Sequence, residues 1–299
     1  MNRAKLKNYA WLSVAAALVT IALKSFAYWI TGSVGLLSDA VESLVNLAAA
    51  IFALVILTIA ARPPDDDHPY GHGKAEYFAG GVEGTLIFAA ALSITYAAVR
   101  RLMVPQALEQ MGLGLMICAL ASVVNGVVAW ILLKKGREYN SITLEADAKH
   151  LLTDVWTSAA VIAGVGAVAL TSWQPLDSLV ALFAAANILW SGYQLVKRSV
   201  YGLMDSALPK CERDRINTVL EKYKAQGVQF HALRTHQAGA RRFISVHVLV
   251  SGKLSVQQGH DIVEEIEQNL RGLFTDSTVM THLEPNDDPL SWQDVGLDR

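Results

Sequence analysis

The chain has 299 residues, of which 53% are hydrophobic and only 17% are charged, and its formal net charge is −2. An ordinary soluble domain carries roughly 25% charged residues, so this composition indicates a membrane protein. The near-neutral charge and the lack of a basic stripe argue against nucleic-acid binding. Two cysteines are too few for a disulfide framework or a structural thiolate zinc site.

Long apolar runs alternate with short polar connections over the first two thirds of the chain. A hydrocarbon core about 30 Å thick requires roughly 20 residues of helix, and a backbone inside it must satisfy its hydrogen bonds internally. We therefore predict a bundle of six transmembrane helices within a membrane domain of residues 1–208. The predicted spans are about 9–31, 36–60, 77–100, 111–133, 144–171 and 177–203.

Basic residues are distributed unequally among the connections. The N-terminal tail and the second and fourth connections carry eight of them: Arg3, Lys5, Lys7, Arg62, Lys74, Lys134, Lys135 and Arg137. The first and fifth connections carry none, and only Arg100 and Arg101 near the third run against the trend. Because cytoplasmic connections are enriched in Lys and Arg, we predict a multi-pass protein of the plasma (inner) membrane with both termini in the cytoplasm.

Residues 209–299 have the pattern of a soluble domain, which we predict to be cytoplasmic. The predicted elements are a helix at 212–223, strands at 228–235 and 241–250, a helix from 255 to about 270, and a strand at 277–283. Ser255 and Gln258 form the sequence signature of a capping box at the start of the second helix. The order αββαβ predicts a small α+β domain with its helices on one face of a mixed sheet.

Two predicted spans contain polar side chains in matching patterns. The second span reads Asp39-Ala-Val-Glu42-Ser-Leu-Val-Asn46, and the fifth reads Asp147-Ala-Lys-His150-Leu-Leu-Thr-Asp154. Steps of three and then four residues place the polar groups of each segment on one helix face. An ionisable side chain inside a bilayer costs at least ~2.5–3.5 kcal/mol, so such groups indicate function.

If the two faces meet, they supply the four ligands of a tetrahedral divalent metal site. These ligands are Glu42, Asn46, His150 and Asp154. Asp39 and Asp147 lie about one turn away, where they can support the ligands or line an access path. Interhelical hydrogen bonds that hold the bundle together are the alternative, but carboxylates and a histidine in a repeated pattern favour metal ligation.

The connection between the second and third spans predicts a second metal site. Asp65, His68 and His72 lie within eight residues of one another on a glycine-containing loop. A solvated acidic loop would explain the aspartates, but it would not explain two histidines that frame Pro-Tyr-Gly.

The tail holds five of the eight histidines, namely His231, His236, His247, His260 and His282, and Glu284 follows the last. His231 and His247 fall within predicted strands, and His282 and Glu284 share a strand face because side chains alternate with a period of two. A single strand histidine is usually a surface or core residue. Because several would have to converge by chance, we predict a third metal site that includes all of these residues except His236.

Over nearly its full length the chain resembles the cation diffusion facilitator family. The resemblance rests on the paired motifs of the second and fifth spans, the loop His68-Pro-Tyr-Gly-His72-Gly-Lys74-Ala-Glu76 and the histidine-bearing αββαβ tail. It implies a homodimeric exporter that moves divalent metal out of the cytoplasm in exchange for protons, with a metallochaperone-like tail and no enzymatic activity. It also implies that Lys74 and Asp205 form a charge pair that holds the dimer together at the membrane–cytoplasm junction.

The chain departs from the zinc-transporting members of the family at Glu42, where they carry Asp or His, and at Asn46, where they carry Asp. Zn²⁺ binds most tightly to such a site, whereas oxygen-rich ligands also suit Mn²⁺ and Fe²⁺. We expect Zn²⁺ as the transported and regulatory ion, with Mn²⁺ or Fe²⁺ close behind. A metal-gated channel is one alternative, although tight four-ligand binding would slow conduction. The other is a membrane-embedded metalloenzyme, for which HExxH spacing is lacking.

Overall fold

The computed structural model describes residues 4–31, 34–103, 112–171, 173 and 175–293. Within the helices, the description excludes the side chains of residues 4–5, 27–28, 31, 34–42, 45, 112–115, 118, 161–162, 164–169 and 177. The chain divides into two compact units, Asn2–Leu203 and Met204–Arg299. This division falls a few residues before the boundary between 208 and 209 that the composition indicates.

The membrane unit consists of long helices that follow the predicted spans. They are α1 (Ala4–Thr31), α2 (Val34–Ala60), α3 (Ala75–Met103), α4 (Gly112–Tyr139), α5 (Ile142–Thr171) and α6 (Pro175–Leu203). Four helical segments are long and apolar enough to cross a membrane over their described residues: Leu6–Phe26, Ala75–Met103, Ala119–Tyr139 and Ser178–Leu203. The described apolar part of α2 is the shorter segment Asn46–Ala60.

Helix α5 occupies the centre of the membrane unit. All of its side chains from Ile142 to Ala148 are buried. Leu144 and Leu151 belong to a core shared with α1, α2 and α4, whereas Ile142 and Ala146 belong to a second core shared with α3 and α6. A helix that is buried on all sides is surrounded by protein. The polar groups in this part of α5 therefore face other helices.

Helices α3 and α6 approach closely because glycines line their contact. A Cβ atom on Gly84 would lie 2.8 Å from Val196 Cγ2, and one on Gly192 would lie 3.1 Å from the carbonyl oxygen of Gly84. Small residues at such positions allow helix backbones to pack tightly in membranes. This contact holds α3 in place beside α5.

The tail unit confirms the predicted order of elements. It contains α7 (Lys210–Lys224), β1 (Gln229–Ala238), β2 (Arg241–Val250), α8 (Val256–Arg271), β3 (Ser277–Pro285) and a 3₁₀ turn at Pro289–Trp292. The predicted capping box is present, since Ser255 Oγ accepts a hydrogen bond from the Gln258 amide at 3.2 Å and Gln258 Oε1 accepts one from the Ser255 amide at 2.9 Å.

The sheet of the tail has the order β1–β2–β3, with β1 antiparallel and β3 parallel to β2. It is therefore the predicted mixed sheet. Alternate residues of β2, such as Val246 and Val248, pack in one core with Ile216 of α7 and Ile266 of α8. Because strand side chains alternate, the intervening residue His247 points to the sheet face opposite that core.

Candidate metal sites

The membrane unit brings together four buried polar side chains, which we call the membrane cluster: Asn46 of α2, Asn125 of α4, and His150 and Asp154 of α5. Asn46 Nδ2 donates a short hydrogen bond to Asp154 Oδ2, and Asn46 Oδ1 lies 2.7 Å from His150 Nε2. Asn125 Nδ2 donates to the same Asp154 oxygen at 3.2 Å. Three of the four predicted ligands thus converge where α2 meets α5.

The hydrogen bonds of the membrane cluster show how its carboxylate is satisfied. Two amide donors point at one oxygen of Asp154, so the charge is stabilised by dipoles in a buried site. No described donor or acceptor pairs with His150 Nδ1 or Asn125 Oδ1. A divalent cation bound to Asp154 and His150 would replace the contacts that Asn46 makes with both.

The loop cluster consists of Asp65, His68 and His72, in the connection between α2 and α3. Asp65 Oδ1 lies 3.1 Å from His68 Nδ1, and Asp65 Oδ2 lies 3.3 Å from His72 Nε2. A turn brings them together, because the His68 amide donates to the Asp65 carbonyl at 3.2 Å and Gly71 adopts a positive φ of 84°. One ligand atom from each residue lies within 4.8 Å of the others.

The pKa of Asp65 lies below its ordinary value. Desolvation acts to raise this pKa, but hydrogen bonds from the backbone and side chain of His68 and the nearby His72 outweigh it. Asp65 is therefore ionised throughout the range in which imidazoles titrate. The aspartate therefore offers a negatively charged ligand to a cation near neutral pH.

The tail cluster consists of His231, His247 and Glu284, on the sheet face opposite the helices. The register pairs His231 with His247 across β1 and β2, and His247 with His282 across β2 and β3. Glu284 Oε2 lies 2.8 Å from His231 Nε2, and Glu284 Oε1 lies 3.3 Å from His247 Nδ1. Two imidazoles and a carboxylate in this geometry can supply three of the four ligands of a tetrahedral metal site.

The remaining tail histidines occupy different positions. His282 lies at the edge of the cluster, with Nε2 3.4 Å from Glu284 Oε1 and a mostly exposed side chain. His260 is exposed on α8 and is not among the residues whose ligand atoms converge. His236, which we left out of the predicted site, stacks on Phe243 with ring centroids 4.6 Å apart.

Several predicted site residues lie outside what the structure describes. The backbone of Asp39 and Glu42 belongs to α2, but their side chains are not described. Lys74 and Asp205 belong to different units, so their pairing stays a prediction.

The structure also reveals buried polar groups that the sequence analysis missed. Asn125 joins the membrane cluster, and Ser13 Oγ donates to Asp147 Oδ1 at 3.0 Å. Lys24 of α1 and Glu83 of α3 are buried as well. Lys24 and Glu83 are ionisable residues inside predicted spans, and such residues indicate function. The sequence alone could therefore have identified both as candidates.

Comparison with known proteins identifies the family. A model of the cation efflux transmembrane domain matches residues 10–204, and a model of the cytoplasmic domain of cation efflux proteins matches residues 208–286. The chain belongs to the cation diffusion facilitator family. The predicted architecture is thereby confirmed, and the protein is a cation efflux transporter and not an enzyme.

Individual proteins are similar to all or part of this chain. An uncharacterized transporter of Synechocystis sp. is 52% identical over 287 residues, which are 96% of this chain and 93% of the relative. The cation-efflux pump FieF of Salmonella arizonae is 32% identical over 278 residues, or 91% and 90% of the two chains. A solved metal-bound C-terminal domain of the CzcD transporter from Thermotoga maritima is 26% identical, covers 27% of this chain and 99% of its own, and gives a TM-score of 0.25.

Proposed function

We propose that this transporter exports a divalent transition-metal ion from the cytoplasm in exchange for protons, with Zn²⁺ as the preferred substrate and Mn²⁺ or Fe²⁺ next. The observation that carries the proposal is the convergence of Asn46, His150 and Asp154 in a buried cluster of the membrane unit. An apolar bundle gains little from burying such groups unless they bind something.

The proposed transport site adds Glu42 to these three residues, because it precedes Asn46 by one helical turn. Metal binding requires ionised carboxylates and a neutral imidazole, so loading the site expels protons. On the side facing a more acidic medium, protons return to His150 and the carboxylates and displace the metal. Two arrangements of the helices, one preferred by metal and the other by protons, then give alternating access.

Asn46 has a specific role in this cycle. Its amide group bridges His150 and Asp154 and carries no charge. A metal ion bound to His150 and Asp154 would replace these hydrogen bonds. A neutral ligand at this position lowers the negative charge of the site, which weakens binding and eases release of every divalent ion.

The metal preference follows from the ligand set. Carboxylate and amide oxygens with one imidazole accept Mn²⁺ and Fe²⁺, but Zn²⁺ binds the same ligands more tightly. FieF of Salmonella arizonae is called a cation-efflux pump, which fits export and does not specify the ion.

The tail cluster would act as a cytoplasmic metal sensor in a homodimer. His231, His247 and Glu284 are positioned on strands, and His282 and His260 are further ligands that metal or a second subunit would recruit. Binding of Zn²⁺, Mn²⁺ or Fe²⁺ there would bias the arrangement of the membrane units. The loop cluster and the Lys74–Asp205 pair would act at the junction between the membrane and the cytoplasm, with both termini cytoplasmic and the protein in the plasma (inner) membrane.

A metal-gated channel is the alternative. Metal flux through a carrier saturates at micromolar metal and depends on a proton gradient. Flux through a channel does neither. Uptake of Zn²⁺, Mn²⁺ and Fe²⁺, measured one at a time in proteoliposomes with and without an imposed pH gradient, separates the two. Saturable uptake that is fastest for Zn²⁺ supports the proposal, and unsaturated uptake unaffected by the gradient supports a channel.

A further inference from the structure

Glu83 and Asp147 are buried acidic side chains of the membrane unit that lie outside the three clusters. Glu83 of α3 has no exposed surface, and Asp147 of α5 is 1% exposed. Asp147 Oδ1 accepts the hydrogen bond from Ser13 Oγ at 3.0 Å. Among the described residues, the other oxygen of Asp147 and both oxygens of Glu83 have no hydrogen-bond partner. Three carboxyl oxygens are thus buried without a donor.

The helix geometry places these two groups opposite each other. Glu76, at the start of α3, accepts hydrogen bonds from Ser141 and, at its carbonyl, from Thr143 at 3.5 Å. Glu83 follows Glu76 by seven residues, nearly two turns, so it projects from the same face about 10 Å further along α3. Asp147 lies about 6–9 Å beyond Ser141 and Thr143 along α5. The two carboxyl groups therefore lie at similar heights along α3 and α5, which pack against each other.

The charged groups on the surrounding helices do not neutralise this pair. On α5 and α6, Glu145 pairs with Arg198 at 2.5 Å, and the partly buried Lys149 lies near both of them and Arg137 of α4. Glu76 of α3 is engaged by Ser141, and Lys24 lies about 16 Å beyond Ser13 along α1. Further along α5 lie His150 and Asp154, and α2 carries Asp39 and Glu42. The side chains of Asp39 and Glu42 are not described.

Two ionised carboxylates facing each other in a buried membrane interior are strongly unfavourable, so a proton or a cation must accompany them. A zinc site has at least three protein ligands. No third histidine, cysteine or carboxylate in the described ranges converges with Glu83 and Asp147. We propose that Glu83 and Asp147 share a proton and form a proton-carrying station of the transporter.

The position of this carboxyl pair links it to metal loading, an argument that rests on the proposed proton-coupled function. Asp147 precedes His150 by three residues, so it lies one turn toward the start of α5, on the side proposed to be cytoplasmic. A divalent ion bound by His150 and Asp154 repels the shared proton at this distance. The carboxylic acid then becomes a carboxylate whose charge is balanced by the nearby divalent ion, and the proton leaves to the cytoplasm.

The test uses the full-length protein in weakly buffered solution. Zn²⁺ is added, the protons released are measured with a pH dye, and the bound zinc is counted by elemental analysis. Glu83→Gln keeps the size of the side chain but cannot carry the proton, so we expect about one proton fewer released per chain with the same number of zinc ions bound. Asp147→Asn should show the same deficit, and Glu83→Asp should restore the wild-type count. Glu138→Gln, an exposed site on α4, serves as the matched control.

Three outcomes separate the possibilities. If either Glu83→Gln or Asp147→Asn releases as many protons as the wild type, the proposal of a shared proton is overturned. One folded variant is therefore enough for the test. Fewer bound zinc ions in these variants would show that the pair holds a cation, which also overturns the proposal. If the wild-type protein transports metal without moving protons, the proposed antiport function itself fails, whatever the variants do.

Discussion

Asn46 of α2 donates a hydrogen bond to Asp154 of α5, joining the two helices that carry the matching polar motifs. The same amide group contacts His150 through its oxygen, so one neutral side chain bridges the two ionisable members of the membrane cluster. A site arranged in this way is preformed around Asp154. The following predictions depend on that arrangement.

Replacement of Asp154 should abolish transport. Asp154→Ala removes the charged ligand of the cluster, and we expect metal uptake in proteoliposomes to fall more than about 100-fold. The amides of Asn46 and Asn125 lose their shared acceptor, so a destabilisation of about 1–3 kcal/mol should accompany the loss. Size-exclusion chromatography should still show a folded dimer, with Thr157→Ala, one turn along α5, as a control. Near wild-type uptake by folded Asp154→Ala would remove Asp154 from the transport site.

Asn46 should tune selectivity. Asn46→Asp adds a negative charge beside Asp154, which must be balanced by a proton or a metal ion. We expect zinc to bind roughly tenfold or more tightly and to leave more slowly, since affinity rises with the charge of the ligands. Zinc and manganese uptake by the purified variant, measured in parallel, tests this. An unchanged ratio of the two would mean that Asn46 does not contact the transported ion.

The tail unit should be stabilised by metal. Leu208 is buried in its core, so a fragment that begins at Met204 keeps the unit intact. Ligand that binds only the folded state adds about 2.7 kcal/mol at a hundredfold excess over Kd, which should raise the melting temperature by roughly 10 °C for a domain of this size. Because protons compete with metal for the ligand nitrogens, the shift should be larger near pH 7.5 than near pH 5.5.

Substitutions in the tail cluster should reduce the zinc-dependent rise in melting temperature, and the size of the effect should depend on the position of the residue. His231→Ala with His247→Ala removes both imidazoles that contact Glu284 closely, whereas His282→Ala removes an exposed one and should have a smaller effect. His236→Ala is the control. In the full-length protein the double variant should reduce transport without abolishing it. A wild-type fragment that melts at the same temperature with and without zinc would refute the sensor.

The loop cluster should bind an ion that transport does not strictly require. Asp65→Asn removes the carboxylate that contacts both His68 and His72, so the full-length protein should bind fewer zinc ions per chain. Because the pKa of Asp65 is lowered, its carboxylate stays charged near neutral pH. Protons compete with metal for the imidazole nitrogens, so binding at this cluster should weaken as the pH falls. Elemental analysis at pH 7.5 and 5.5 measures both effects, with Asp66→Asn as a matched control. Equal zinc counts in wild type and Asp65→Asn would rule out a loop site.

Much of the fold was predictable because it follows local patterns. The tail strands follow a period of two, and Ser255 with Gln258 marks the start of α8, so these elements appear within a few residues of their predicted limits. Helical spacing placed the polar groups of each span on one helix face, and the structure brings Asn46 together with His150 and Asp154.

Other features depend on contacts between distant segments. The register that aligns His231, His247 and His282 across three strands is set by long-range pairing and by a bulge near Ala232, which no local pattern specifies. Asn125 lies in a largely apolar run, and only the packing of α4 on α5 shows that it contacts Asp154. His260 was predicted to belong to the tail site, but among the described residues the ligand atoms that converge are those of His231, His247 and Glu284.

The most direct test of the account measures metal and proton movement together. Purified transporter is reconstituted into proteoliposomes that enclose a zinc indicator and a pH indicator. Zinc is then added in three conditions: with a proton gradient, without one, and after a protonophore has dissipated the gradient. Exchange predicts that zinc and protons cross in opposite directions in a fixed ratio, and that Asp154→Ala stops both. Zinc movement that continues at the same rate without any proton movement would contradict it.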